Sequence, residues 1–230
     1  MVNGLMLVAA LLPAILLGIY IYWKDPQPEP VKWIIRAFFA GVIICIPIAF
    51  VEQFISNLLF SPVGPQTLVG TTIEAFFVAG LPEEAAKLFV LWLFVLRKNP
   101  YFDEHFDGIV YAVFVSLGFA AIENVFYVIG SGDEWVSVAA TRALLAVPGH
   151  YAFGILMGYY YTKYHFFNRS GKAKMKVLLV PFLAHGVYDA IAMSGSVDPI
   201  AGSISFFVLI YFCIKLQKYA RRKITELAGA

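Results

Sequence analysis

A chain of 230 residues that is 60% hydrophobic and only 14% charged, with a mean hydropathy of +0.77, excludes an ordinary soluble domain, which runs at about 25% charged and about 45–50% apolar. The formal net charge of +2 excludes little, because the placement of charge says more than its sum. Cys45 and Cys213 both lie inside apolar runs, so a disulfide scaffold and a CxxC metal site are excluded. The composition predicts an all-α polytopic membrane protein, a single transmembrane domain over residues 1–230, with the lipid bilayer as its surroundings and no nucleic-acid partner.

Seven segments reach the roughly 20 apolar residues that a transmembrane helix needs. The first, 2–23, lacks a positive leading region and a small-x-small cleavage site, and its apolar core is too long for a signal peptide. It is read as a retained helix. "DPQPEP" at 25–30 reads as an extended connection to the second span, 34–60, which a tight turn, "SPVGP" at 61–65, closes. The third span is 67–96 and the fourth 107–129, with Asp107-Gly108 as a helix N-cap. The fifth is 136–162, the sixth 175–194 and the seventh 200–217. The third, fourth and fifth qualify only if their charged residues are tolerated. There is no internal repeat.

The loops orient these spans. Lys24, Lys32 and Arg36 flank the first connection, Arg97 and Lys98 the third, and Lys163, Arg169, Lys172, Lys174 and Lys176 the fifth; Lys215, Lys218, Arg221, Arg222 and Lys223 sit at the C-terminal end. The opposite ends, 61–66, 130–135 and 195–199, carry no Lys or Arg. Fifteen of the seventeen basic residues thus fall on alternate ends, which predicts an external N-terminus and a cytoplasmic C-terminus.

Ionisable residues inside spans are expensive and mark function. Span three carries Glu74, Glu83, Glu84 and Lys87; span four, Glu123 and then Asn124; span five, Arg142 and His150; span six, His185 and Asp189; span two, Glu52 and Gln53 toward its outer end. Lys87 follows Glu83 by four residues and Glu84 by three, so it faces both and neutralises one. The other carboxylate needs a partner, a water, a metal or a proton. At about 1.5 Å of rise per residue, Glu83, Glu84, His150 and His185 share one depth near mid-span, with Glu123 and Asp189 about 7 Å further out. Facing helices of a bundle build sites in this way. His185 and Asp189 are one turn apart, so the aspartate can hold the imidazole. Phe119 stands one turn before Glu123, as a packing residue beside it. Pro82 interrupts span three beside Glu83, and Pro148-Gly149 weakens span five before His150; Gly154 and Gly158 make a face for close helix approach. The bland alternatives are a structural ion pair for Glu83, Glu84 and Lys87, a bundle hydrogen bond for Glu123, and helix bridging for His150. Glu52, Glu74, Asn124 and Arg142 are read as supporting, with Arg142 paired to an acidic side chain near the outer surface.

"EEAAK" (83–87), "FAAIEN" (119–124) and "HGVYD" (185–189), in this order on successive spans, resemble the EExxK, FxxxE and HxxxD motifs of the PrsW family, and "PGH" (148–150) resembles its span-five histidine motif. The resemblance covers about residues 70–195. That family is related to the CAAX prenyl proteases and bacteriocin-processing proteins, whose motifs read EExxxR, FxxxH and HxxxN or D. Here Lys stands one position earlier than that Arg, and Glu123 replaces the histidine, so a prenylated substrate is not implied. The resemblance implies a bacterial plasma-membrane protease making the first, external cut in a membrane-anchored, single-span anti-sigma factor.

The chemistry then expected is peptide hydrolysis by an activated water. Glu83 or Glu84 is the general base, with Lys87 setting the pair's proton affinity and His185 at the reacting centre. Two routes stay open: a divalent metal, most simply zinc, held by some of Glu123, His150 and His185 with Asp189 in support; or water positioned without metal, with His185 or backbone N–H groups at the oxyanion. Rival readings are a small ion- or proton-coupled transporter, since intramembrane carboxylates also mark ion paths, and a non-catalytic scaffold.

Overall fold

The computed structural model describes residues 3–61, 64–197 and 199–228. Among these, the chain forms seven helical rods and no strand. They are α1 (Gly4–Lys24), α2 (Val31–Phe60), α3 (Leu68–Ile73, Glu74–Gly80, Leu81–Val90 and Leu91–Leu96 in succession), α4 (Asp107–Gly130), α5 (Trp135–Thr141, Arg142–Ala146, Val147–Thr162 and Lys163–Phe167 in succession), α6 (Gly171–Met193) and α7 (Pro199–Ala228). The seven expected segments are all present. The first residue of the first one, and part of the turn at 61–65, lie outside the described residues.

Five rods are long and apolar enough to cross a membrane on length and composition. The other two, α3 and α5, fall short because they alternate α with π turns. The breaks have a local cause. A π stretch ends at Gly80, two residues before Pro82, and another ends at Ala146, two residues before Pro148. Proline has no N–H to donate and collides with the carbonyl four residues back. A wider turn relieves that collision, and such π turns are frequent at functional sites.

The buried centre is α4, whose most apolar stretch is 72% buried against 22–28% for the other four apolar spans. It packs on α1, α2 and α5. Close crossings seat it there: a Cβ on Gly118 would run into the carbonyl of Phe38 on α2, and one on Gly158 of α5 into the carbonyl of Gly108 on α4. Gly154, one turn earlier, meets the α4 backbone at Val113. The expected close-approach face of span five is therefore used against α4. Outward faces are apolar instead, as with Phe39, Ile43, Phe50 and Phe54 on α2 and Ile204, Phe207 and Tyr211 on α7, all well exposed. A surface of that kind suits lipid, and the protein is a multi-pass membrane protein.

Two expectations are corrected at the Lys- and Arg-rich end. Asp107 does not cap α4; its Oδ2 accepts from the backbone N–H groups of Asp103 and Glu104 at 3.0 and 2.6 Å, tying down the loop before the helix. The last helix does not stop near 217 but runs to Ala228, because Ala220, Ile224 and Leu227 continue an apolar stripe at one-turn spacing. Glu226 on that extension pairs with Lys163 at 3.2 Å and Lys223 at 3.0 Å, and accepts from the Tyr159 hydroxyl.

The "DPQPEP" connection is anchored rather than free. Glu29 accepts from the buried Tyr111 hydroxyl of α4, and Asp25 is buried beside it. Burial pushes the Glu29 carboxyl up to about 8 and Asp25 up to about 6. A carboxyl whose folded value is raised binds its proton more tightly when folded. Its contribution is therefore complete below the ordinary value of 4.5 and is lost as pH rises toward about 8. Amide exchange in residues 25–30, corrected for intrinsic rate, is expected to speed up between pH 6 and pH 8.5, and Glu29→Gln to remove that dependence. Gly158→Ala is expected to destabilise by about 1–3 kcal/mol through overpacking against Gly108, read by detergent-titration unfolding.

Candidate active site

The sequence lays Glu83, Glu84 and Lys87 along one face of the first α turns after Pro82, and the fold closes a ring around that ammonium. Lys87 Nζ lies 2.8 Å from Glu83 Oε2, 2.8 Å from Glu84 Oε1 and 3.0 Å from His150 Nδ1 on α5. The Phe119 ring of α4 covers the ammonium at 4.3 Å. His185 of α6 closes the other side, with Nδ1 2.9 Å from Glu84 Oε1 and 3.9 Å from Glu83 Oε2. Its Nε2 is 3.2 Å from Asp189 Oδ2, the i+4 partner. The Phe153 ring stacks on it at 4.6 Å. His185 reaches α3 because the next residue is glycine: a Cβ on Gly186 would strike the Phe76 ring.

Four ligand-type groups, Glu83, Glu84, His150 and His185, thus bring one donor atom each within 4.8 Å of one another, all buried. The sequence placed these four at one depth. Glu123, named with His150 and His185 as a candidate ligand, stands outside this group. Its Oε2 contacts Arg142 Nη2 at 2.9 Å and His150 Nε2 at 2.9 Å, on the far side of the imidazole. The reason is Arg142, whose expected acidic partner is Glu123. Its Nε donates to Asn124 Oδ1 at 2.6 Å, and its guanidinium lies 4.0 Å over Tyr127.

The hydrogen-bond chemistry sets one tautomer. Lys87 gives protons at Nδ1 and the Glu123 carboxylate accepts at Nε2, so the two contacts together place the lone pair on Nδ1 and the ring proton on Nε2. His185 differs, because both of its ring nitrogens face carboxylate oxygens. Two acceptors cannot share one proton, so the ring carries a second proton or the site holds a cation. Glu84 Oε2 is also buried with no hydrogen-bond partner. Around the cluster, four carboxylates (Glu83, Glu84, Glu123 and Asp189) face two permanent cations, Lys87 and Arg142. The donor set, the free oxygen and this excess of negative charge fit a divalent metal ion.

A cavity of about 440 Å³ lies over the cluster, lined by Glu83, Glu123, His150, His185 and Asp189 among others. Glu84 and Lys87 side chains have no exposed surface, whereas Glu123 and Asp189 keep 20% and 19%. The cavity therefore deepens from Glu123 and Asp189 toward Glu83. Phe126, Tyr127 and Met193, one turn beyond the two acids, carry it to the helix ends that precede 131–134 and 194–197. Glu52, read from sequence as supporting, lines the same cavity, and its Oε1 has no hydrogen-bond partner. Only its position on the face shared with Cys45 and Ala49 could have signalled this. Glu74 stays apart, accepting from Ser56 Oγ at 3.0 Å. The contact of Lys87 with His150, 63 residues away, left no trace in the sequence.

Removing the ammonium leaves two carboxylates buried against each other. Lys87→Met is expected to destabilise by about 3–5 kcal/mol, the cost of stranding a buried charge. Lys87→Met combined with Glu83→Gln and Glu84→Gln is expected to recover much of that loss in the same unfolding assay.

Residues 29–215 match the family model described as PrsW family intramembrane metalloprotease. The chain is 42% identical over 184 residues to Protease PrsW of Oceanobacillus iheyensis, covering 80% of each protein. It is 39% identical over 219 residues to Protease PrsW of Bacillus subtilis, covering 93% of this chain and 94% of that one. With Protease PrsW of Clostridioides difficile it shares 35% over 190 residues, 80% and 77% of the two chains. No solved structure matches the chain. With the motif glutamates, lysine, histidines and aspartate gathered in and beneath one cavity, and with relatives of this name along most of its length, the chain belongs to the PrsW family of intramembrane proteases.

Proposed function

We propose that the protein, a single transmembrane domain of a bacterial plasma membrane, cuts a membrane-anchored protein at the floor of the 440 Å³ cavity, with Glu83 as general base. The observation that carries this is the buried cluster of Glu83, Glu84, His150 and His185 under a cavity that Phe126, Tyr127 and Met193 carry to one end of the helices. Glu83 is favoured over Glu84 because its side chain lines the cavity, whereas Glu84 is sealed beneath it. Glu84 and Lys87 then hold position: Glu84 orients His185, and Lys87 fixes Glu83 Oε2 and leaves its second oxygen for water.

In this reaction Glu83 takes a proton from water as the oxygen adds to the scissile carbonyl carbon. The same carboxyl returns the proton to the amide nitrogen as the C–N bond breaks. His185, steadied by Asp189 and Phe153, lies where negative charge builds on the carbonyl oxygen. Glu84, His150 and His185 are the residues that would hold a divalent ion, with Glu123 behind His150, and zinc suits that set. When bound, the ion supplies Lewis-acid polarisation of the carbonyl. The metal-free route has one observation in its favour, the positive charge that Lys87 already brings to the cluster.

Lys and Arg gather at the helix ends remote from the cavity mouth, which supports a mouth on the external side and a cytoplasmic C-terminus. A single-span anti-sigma factor, reaching the cluster from the outer side of the bilayer, is the substrate that this placement and the family resemblance favour. A transporter reading has no support from an alternating-access repeat.

The test is cleavage of single-span substrates by purified protein in nanodiscs. Glu83→Gln is expected to lower kcat by about 10²–10⁴-fold; full activity in both Glu83→Gln and Glu84→Gln would sink the general-base assignment. Metal content by mass spectrometry is expected to show about one zinc per chain, and a chelator to remove activity. Active enzyme free of stoichiometric metal would overturn the metal route and leave the water-only one.

A further inference from the structure

Resting on the reading of that cluster as the reacting centre, we infer that Arg142 and Asn124 form a positioning pair, which clamps Glu123 against His150 so that the imidazole keeps its Nδ1 lone pair aimed at the cluster. Neither residue belongs to the three motifs beyond the Asn that comes directly after Glu123.

The contacts form one unbroken line. Asn124 Nδ2 donates to the carbonyl of Ala10 on α1 at 2.7 Å. That bond fixes which way the amide faces, so Oδ1 is the atom turned to Arg142, and it accepts from Nε at 2.6 Å. The guanidinium, oriented in this way and backed by Tyr127, sets Nη2 2.9 Å from Glu123 Oε2 as an ion pair. The same oxygen takes the Nε2 proton of His150 at 2.9 Å. Lys87 then meets the lone pair at Nδ1, at 3.0 Å. Asn124 is fully buried, and Arg142 keeps only 14% of its side-chain surface.

The backbone is shaped for this. Arg142 and His150 are eight residues apart, which puts them about 80° apart round a regular α-helix. Arg142 opens the π stretch Arg142–Ala146, and an inserted residue turns the remainder of the helix by about 100°. Both side chains then reach one carboxylate from the same helix. Without the clamp, Glu123 can swing away and the ring can move its proton to Nδ1, where it would oppose Lys87.

The competing account makes Arg142 a charge that merely balances Glu123. Lysine separates the two, because a point charge balances Glu123 but lacks the Nε–H that holds Asn124 while a second nitrogen of the same rigid plane meets Glu123. The experiment is ¹⁵N-histidine NMR on the metal-free full-length protein in nanodiscs, with His150→Gln assigning the signal. Wild type is expected to show His150 as the Nε2–H tautomer, and Arg142→Lys to lose it. Affinity for zinc alone, by chelator competition, is expected to fall about 10–100-fold in Arg142→Lys with the thermal midpoint little changed. Retention of the tautomer in Arg142→Lys, or its absence in wild type, overturns the proposal. If Arg142→Lys does not fold, Asn124→Ala keeps the charge, removes the orienting acceptor and is read the same way; failure of both to fold gives the pair a structural role and overturns the inference. A wild type that shows the tautomer but cleaves no substrate would sink the reading of the site while leaving the clamp standing.

Discussion

An ammonium with no exposed surface, held by two carboxylates and an imidazole, is the interaction on which this structure turns. In hydrocarbon a lone lysine or a lone pair of glutamates would oppose insertion, by about 2.5–3.5 kcal/mol for each charged group at a helix centre. Lys87 resolves part of that within its own helix. The remainder is resolved only between helices, where His150 and His185 complete the ring. The rods α3, α5 and α6 must therefore pack in one register. A shift of one turn at any of them would leave a carboxylate or an imidazole without its partner.

That register uses irregular helix rather than resisting it. The two rods that carry most of the site, α3 and α5, are the two broken by π turns and by Pro82 and Pro148. A regular helix satisfies its own backbone and offers little polar surface to a cavity. A widened turn re-aims side chains, so that Glu83 faces the cavity and Arg142 reaches Glu123. Such backbone is tolerated at membrane depth only where protein or a water-filled cavity surrounds it. The central helix α4 meets that condition by packing closely on its neighbours at Gly158 and Gly154.

Anchors outside the site hold the frame. Glu29 and Asp25 fasten the first connection to α4, and the extension of α7 lays Glu226 against Lys163 and Tyr159. Both lie at the Lys- and Arg-rich end, away from the cavity mouth. The cluster thus sits between a tied base and an open top, an arrangement in which substrate can approach without loosening the helix packing below it.

The sequence by itself determined the membrane class, seven helical segments, and the residues of the cluster, because composition, span length and i, i+4 spacing are local properties. Glu83 and Glu84 with Lys87, and His185 with Asp189, were legible for that reason. Helix ends were less so: Asp107 looked like a cap and ties a loop instead, and α7 runs past its apolar stretch, since neighbours and not propensity settle where a helix stops. Only the tertiary structure decided that Lys87 meets His150, that Arg142 takes Glu123 away from the metal-type group, and that Glu52 faces the cavity. Those contacts join residues on different helices. Which faces meet depends on glycine crossings and π turns whose rotation no periodic pattern records.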